Sequence, residues 1–225
     1  MLFSDAVLQY YSELSPPANL PDDVEVMNPF QNPDTMALTT AFYQKYYADQ
    51  QPRYLCFGIN PGRFGAGLTG VPFTDPLRLQ EDCGIENILE KKPELSSRFI
   101  YEMIHAYGGP DHFYQRFFIS AVSPLGYLRQ GINLNYYDIK GYKAMLEPYV
   151  VRQIRLQLKF GIRQEVAFSI GKGENVKYLN YLNQKHRFFG QIVPLSHPRW
   201  VMQYRLRRKS EFISEYLDAF ASLPH

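Results

Sequence analysis

Four short apolar runs alternate along the chain with longer amphipathic segments. Each run is nearly continuous in hydrophobic residues and is bounded by turn-forming residues, as expected for strands that are buried on both faces. The runs are residues 54–59, 117–122, 165–170 and 191–195. Strands that alternate with helices predict a three-layer α/β/α sandwich around a mainly parallel, four-stranded sheet. Ligands of such folds bind beyond the carboxyl ends of the strands, so the residues that follow each run are the candidates for chemistry.

The intervening segments carry apolar residues at helical spacing. Residues 150–158 repeat an apolar side chain every fourth position, and Pro148 is expected near the start of that helix. Residues 176–182 and 212–220 show similar patterns, with Ser210 as the expected N-cap of the last helix.

The N-terminal part of the chain has a different character. Residues 7–14 and 36–50 have helical patterns, whereas residues 16–35 are rich in Pro, Asp and Asn and predict an irregular arm. No internal repeat or long linker divides the sequence. We therefore expect residues 1–225 to form a single domain, with residues 1–45 as an arm and helices packed on it.

Composition narrows the possible functions. The net charge of +2 is too small to indicate a nucleic-acid-binding protein by itself, so any basic footprint must be local. The two cysteines are too few for a four-thiolate cluster, and we expect no metal and no cofactor. The sequence carries neither a secretory signal nor an apolar run long enough to span a bilayer, which predicts a cytoplasmic protein with no membrane contact.

The first run leads into a glycine-rich loop that has more than one interpretation. A plain glycine-rich turn is one of them. Gly65, Gly67 and Gly70 also match the spacing of the dinucleotide-binding fingerprint, which requires a helix to begin at the third glycine. Pro72 and Pro76 follow at once and interrupt any such helix.

A third interpretation of this loop is a base-excision site. The segments Gly58-Ile-Asn-Pro-Gly62 and Thr69-Gly-Val-Pro-Phe73 resemble the first motif of the uracil-DNA glycosylase superfamily, above all its single-strand-selective monofunctional branch. The resemblance implies that Asn60 orients the attacking water, and that Ile59, Gly62 and Phe73 bind the substrate. Glycine permits close approach of a nucleotide, and Phe73 offers a face on which a pyrimidine can stack. Arg63 is a candidate DNA contact.

The fourth run leads into Ser196-His197-Pro198-Arg199, which resembles the second motif of the superfamily. A lone histidine is often structural, but His197 is expected at the same sheet edge as Asn60. The resemblance implies that His197 donates a hydrogen bond to the departing base. The Ser-Pro that usually precedes the arginine is missing, so the loop is shorter than in the family. Residues 196–209 contain five Lys and Arg and no acidic residue, and we expect DNA contacts there from Arg199, Tyr204, Arg205 and Arg208.

The second run leads into the third element, where the sequence departs from the family pattern. The superfamily resemblance places a base-reading Asn three residues before Pro124, but that position is Ala121. The amide that would read the uracil edge is therefore absent, and Ser120 or backbone groups of Ser120 and Ala121 are the candidate replacements.

These motifs predict a monofunctional glycosylase that removes uracil, and other deaminated bases as a further possibility, from DNA that is single-stranded or locally unpaired. No lysine lies in the three motifs, so we expect no Schiff-base step, and we expect a monomer. A catalytically weak DNA-binding relative is the alternative, and a nucleotide-cofactor-binding α/β enzyme is a more remote one. A pure DNA-binding protein would not need the pair of Asn60 and His197.

Overall fold

A four-stranded parallel sheet forms the centre of this computed structural model, which describes residues 1–223. Its spatial order is β3-β2-β6-β7, with bounds β2 Arg53–Gly58, β3 Phe117–Ala121, β6 Ile162–Ile170 and β7 Gln191–Leu195. All four strands are the predicted runs, and β6 begins three residues earlier than predicted. The registers pair Gly58 with Ala121 and Ile170 with Leu195, so the carboxyl ends of the strands meet at one edge.

Helices cover both faces of the sheet, which confirms the predicted sandwich. In order they are α1 Phe3–Ser12, α2 Pro33–Tyr47, α3 Ala66–Thr69, α4 Pro76–Glu81, α5 Leu95–Tyr107, α6 Pro110–Arg116, α7 Tyr142–Leu158, α8 Glu174–His186, α9 Pro198–Tyr204 and α10 Lys209–Ala221. Neighbouring residues of β3 show the layering, because side chains alternate between the faces of a strand. The Phe117 ring lies 4.3 Å from Phe220 of α10, and the Phe118 ring lies 5.3 Å from Phe3 of α1.

The N-terminal arm is more regular than predicted. Within residues 16–35, β1 (Glu25–Met27) pairs with β4 (Gly126–Arg129), and β4 pairs with β5 (Ile132–Leu134), giving a small antiparallel sheet of order β1-β4-β5. These strands are three or four residues long and are too short to show a hydrophobic alternation. The prediction of an irregular arm was therefore wrong for residues 25–27. Local sequence patterns did not reveal this strand, because its partner strand lies about a hundred positions away.

Two predicted helix boundaries were also wrong. Pro148 lies in the interior of α7, because that helix begins at Tyr142, directly after Gly141 in the left-handed conformation. Ser210 is the second residue of α10 and not its N-cap, because a 3-10 turn over Leu206–Arg208 leads straight into Lys209. Among residues 1–223, none of the helices has the length and apolar character needed to cross a membrane.

Candidate active site

The carboxyl ends of the central strands open into a cavity of about 770 Å³. Because the strands are parallel, the end of β3 and the loops after β2, β6 and β7 all reach it. The predicted site residues that line it are Ile59, Asn60, Gly62, Phe73, Ser120, Ala121, His197 and Arg199. The cavity therefore brings together residues that are far apart in the sequence, and its volume is typical of small-molecule sites.

The loop after β2 is shaped around the ring of Phe73. A Cβ atom at Gly58 would lie 2.9 Å from Cε2 of Phe73, so a side chain at the end of β2 would displace the ring. Phe73 has a φ of +53°, an unfavourable conformation for a bulky residue and one that tends to occur at functional sites. The short helix α3 ends at Gly70, which has a φ of +70°. A helix ends where the dinucleotide fingerprint requires one to begin, so the loop does not have that geometry.

The side chain of Asn60 is held by the end of β5 and the turn that follows it. The backbone N–H of Tyr136 donates to Oδ1 of Asn60 over 2.9 Å, and Nδ2 of Asn60 donates to the carbonyl of Leu134 over 3.0 Å. These two bonds fix which end of the amide is the carbonyl. A carbonyl oxygen has two lone pairs, so Oδ1 can accept one further hydrogen bond.

Tyr136 itself is linked by hydrogen bonds through Asn175 to the central sheet. Its hydroxyl donates to Oδ1 of Asn175 over 3.0 Å, and Nδ2 of Asn175 lies 3.4 Å from the carbonyl oxygens of Phe57 and Gly58. Tyr136 and Asn175 are both buried. The orientation of Asn60 therefore depends on a buried network that returns to the end of β2.

His197 is the N-cap of α9, and its ring geometry defines its tautomer. Its Nδ1 accepts a hydrogen bond from the backbone N–H of Arg199 over 3.2 Å, so the proton of the neutral ring lies on Nε2. Burial, and then the neighbouring Arg199 cation, lower the pKa of His197 to about 4. The ring centroid lies 6.3 Å from that of Phe73. At neutral pH the cavity thus has an uncharged N–H donor beside an aromatic face.

The cavity wall formed by β3 has no side-chain amide, since its lining residues are Ser120 and Ala121. Ala121 lines the cavity and is only 7% exposed. Ser120 also borders the cavity, but its hydroxyl interacts with Tyr11 in the layer of α1. The backbone of Ser120, and not its hydroxyl, is therefore the group available on this wall.

The cavity also contains polar residues that the motifs did not identify. They are Glu94, Ser96, Asn133, Asn135, Lys172, Glu174 and Asn175. Lys172 follows Gly171 at the end of β6 and could have been found by the rule that places ligands at strand ends; its Nζ lies 3.1 Å from Oε2 of Glu215. Asn133 lies in β5 of the antiparallel hairpin and Asn135 directly follows β5; no sequence pattern predicted that hairpin.

The predicted DNA contacts lie at and beyond the cavity mouth. Tyr204 is 65% exposed, and the guanidinium of Arg205 lies 5.0 Å from the centre of the Trp200 ring. Arg208 is less available, because its guanidinium forms an ion pair of 2.6 Å with Glu211. Arg63 is exposed beside the hairpin, where its backbone N–H donates to Oδ1 of Asn133 over 3.2 Å.

Comparisons with known proteins identify the family of the chain. The model of the uracil DNA glycosylase superfamily matches residues 44–221. The solved structure of wild-type Pedobacter heparinus SMUG2 is 44% identical, with a TM-score of 0.95 over 99% of this chain and 98% of that one. No match was found among curated proteins. The resemblance to this family is confirmed: the chain belongs to the uracil-DNA glycosylase superfamily.

Proposed function

We propose that the protein is a monofunctional uracil-DNA glycosylase of base excision repair, which hydrolyses the N-glycosidic bond of uracil in DNA. The observation that carries the proposal is the meeting of Asn60, Phe73 and His197 in one cavity of a chain that belongs to this superfamily. A protein that only bound DNA would not need an oriented amide and a neutral N–H donor facing the same space.

The geometry supports a distinct role for each of the three residues. The target nucleotide leaves the base stack and its base lies against Phe73. Oδ1 of Asn60 accepts a hydrogen bond from the attacking water with its remaining lone pair. Nε2–H of His197 donates to the base as that base leaves with the electron pair of the broken bond, which stabilises the developing negative charge.

Outside the cavity, we propose that DNA lies along Arg199, Tyr204 and Arg205, with Arg63 as a further contact. Arg208 contributes less, since Glu211 already neutralises it. Single-stranded or locally unpaired DNA is the preferred substrate, because flipping a base out of a paired duplex requires more free energy.

We propose a monomer that works in the cytoplasm without metal or cofactor. We also propose the single domain expected over residues 1–225, of which residues 224–225 lie outside the described part; within the described part, the Phe3 ring of α1 stacks 5.3 Å from Tyr47 and thus joins the N-terminal segment to the main core.

The range of bases follows from the wall of β3. Sites that hydrogen-bond one substrate edge reject other bases strongly, because the wrong base leaves buried polar groups unpaired. Ala121 supplies no such group. We therefore propose uracil as the main substrate, with hypoxanthine and xanthine as minor ones.

A strand-cleavage assay tests the proposed function. A uracil-containing oligonucleotide is incubated with the protein, treated with alkali and separated on a gel, beside the same oligonucleotide with thymine. Strand breaks at uracil alone are expected, and the double variant Asn60→Ala with His197→Ala is the control for contaminating activity. Binding without any cleavage would identify the protein as a catalytically weak DNA-binding relative.

A further inference from the structure

Glu94 is an acidic side chain in the cavity that the three motifs do not include. It immediately precedes α5, and its backbone N–H donates to Oδ2 of Asp75 over 2.7 Å. Its Oε1 lies 4.0 Å from the position that a Cβ atom would take on Gly62, and a Cβ atom on Gly65 would overlap with Oε2. Two glycines of the glycine-rich loop, which also carries Asn60, thus leave room for this carboxylate.

The charge of Glu94 is poorly compensated. Within residues 1–223, no hydrogen bond reaches either of its carboxylate oxygens. Burial, and then the Asp75 carboxylate, raise the pKa of Glu94, whereas the Arg199 cation opposes this shift. An acidic group that is partly desolvated and lacks a hydrogen-bond donor is unfavourable for stability, so its place in a cavity indicates a functional use.

The proposed reaction has a step that Asn60 and His197 leave open. Attack by water at C1′ of the sugar releases a proton, and the sugar carries positive charge as the bond to the base breaks. An amide is not a base at neutral pH. Nδ1 of His197 is occupied by the N–H of Arg199, and its Nε2 already carries a proton.

Resting on the proposed function, we infer that Glu94 is a further catalytic residue, the carboxylate that stabilises the positively charged sugar and accepts the proton of the attacking water. The bond between C1′ and the base nitrogen breaks, and its electron pair leaves with the base. The water oxygen bonds to C1′, and one water proton passes to a carboxylate oxygen of Glu94. The two groups have complementary roles, because the anion stabilises the positively charged sugar and the N–H donor of His197 stabilises the departing base.

The test compares Glu94→Gln with Glu94→Asp under single-turnover conditions on uracil-containing DNA. Gln keeps the shape and removes the charge, so we expect the excision rate to fall about a hundredfold or more, while affinity for uracil-containing DNA persists. Asp keeps the charge on a shorter side chain and should retain more activity than Gln. A thermal melt of each variant shows whether it is folded, and the Asp variant serves as the test if Gln is not.

The pH profile separates catalysis from a structural role. A carboxylate that accepts a proton must be ionised, so the wild-type rate should decline as the pH falls through the raised pKa of Glu94. This decline should vanish in Glu94→Gln. A wild-type rate in Glu94→Gln, or an unchanged acid limb, would overturn the inference. A parallel loss of DNA affinity and rate would also overturn it and would instead assign Glu94 to the positioning of Arg199. If the wild-type protein releases no uracil, the proposed function itself fails.

Discussion

The backbone N–H of Tyr136 donates a 2.9 Å hydrogen bond to Oδ1 of Asn60, across 76 positions of sequence. The loop of the first motif and the wall of the small antiparallel sheet thus hold one amide between them. The second bond, from Nδ2 of Asn60 to the carbonyl of Leu134, excludes the flipped orientation of the amide. The element that orients Asn60 is therefore one that lies outside all three motifs.

Replacing Asn60 should remove the oriented water without removing the DNA-binding surface. We expect Asn60→Ala to lower the single-turnover excision rate by about a hundredfold or more, the usual scale for losing one organising group. DNA affinity, measured by fluorescence anisotropy on uracil-free DNA, should stay near the wild-type value. Excision at the wild-type rate would show that Asn60 does not position the water.

Replacing Tyr136 should affect the orientation of the Asn60 amide indirectly, because the backbone N–H of Tyr136 holds that amide. Tyr136→Phe deletes the 3.0 Å bond to Asn175 and leaves Oδ1 of Asn175 buried without that donor. We expect the free energy of unfolding to fall by about 1 to 3 kcal/mol, together with a smaller loss of rate than in Asn60→Ala. Denaturant unfolding and single-turnover kinetics measure both. A full loss of rate at unchanged stability would contradict a positioning role.

The site residues that could be predicted from the sequence are those that directly follow a predicted strand. Asn60 and His197 follow apolar runs, and parallel strands bring the ends of such runs together. Glu94 could not be predicted, because residues 86–94 carry no pattern and tertiary contacts place Glu94 at the cavity: its backbone N–H donates to Asp75, and its carboxylate lies beside Gly65. The face of the sheet on which the Ser120 side chain lies could have been predicted from the alternation in β3, since Ser120 and Phe118 are two positions apart and share a face.

His197 should titrate well below its ordinary pKa. In the folded protein the pKa is about 4, against an ordinary value of 6.5. Between about pH 4 and pH 6.5, His197 is therefore protonated in the unfolded chain but neutral in the folded protein. The contribution of His197 to the free energy of unfolding is thus fully present above about pH 6.5 and is lost as the pH falls toward 4. Titration of the His197 ring by NMR measures the pKa directly. A midpoint near the ordinary value would mean that the ring is solvated and not a buried neutral donor.

The neutral N–H of His197 should contribute to the chemical step. We expect His197→Ala to lose about 3 to 4 kcal/mol of transition-state stabilisation, the scale of one oxyanion donor. The rate is measured in single turnover at neutral pH, and circular dichroism melts serve as the control for folding. If the rate loss only follows the loss of folded protein across temperature, His197 is structural.

Arg205 and Arg208 form a matched pair for testing the DNA footprint. Arg205 lies over Trp200, whereas Glu211 already neutralises Arg208. We expect Arg205→Gln to weaken binding to all sequences alike and to reduce the slope of log affinity against log salt concentration by about 0.7 to 0.9, as for one lost phosphate contact. Arg208→Gln should change the slope less. Equal slopes in both variants and the wild type would place the DNA elsewhere.

The choice of base should respond to position 121 and not to position 120. Ala121 lines the cavity, so Ala121→Asn places an amide where a base edge can meet it. Excision of uracil should rise and that of hypoxanthine and xanthine should fall, because an unmatched base would leave the new amide unpaired. Ser120→Asn is the matched control: the Ser120 hydroxyl interacts with Tyr11 on the opposite face of β3, so the larger side chain should lower stability by about 1 to 3 kcal/mol through overpacking and bring no gain on uracil. Both variants are measured against the three bases in single- and double-stranded oligonucleotides. If Ala121→Asn brings no gain and the wild-type protein is already fast and restricted to uracil, backbone groups read the base, and the missing amide does not weaken selectivity.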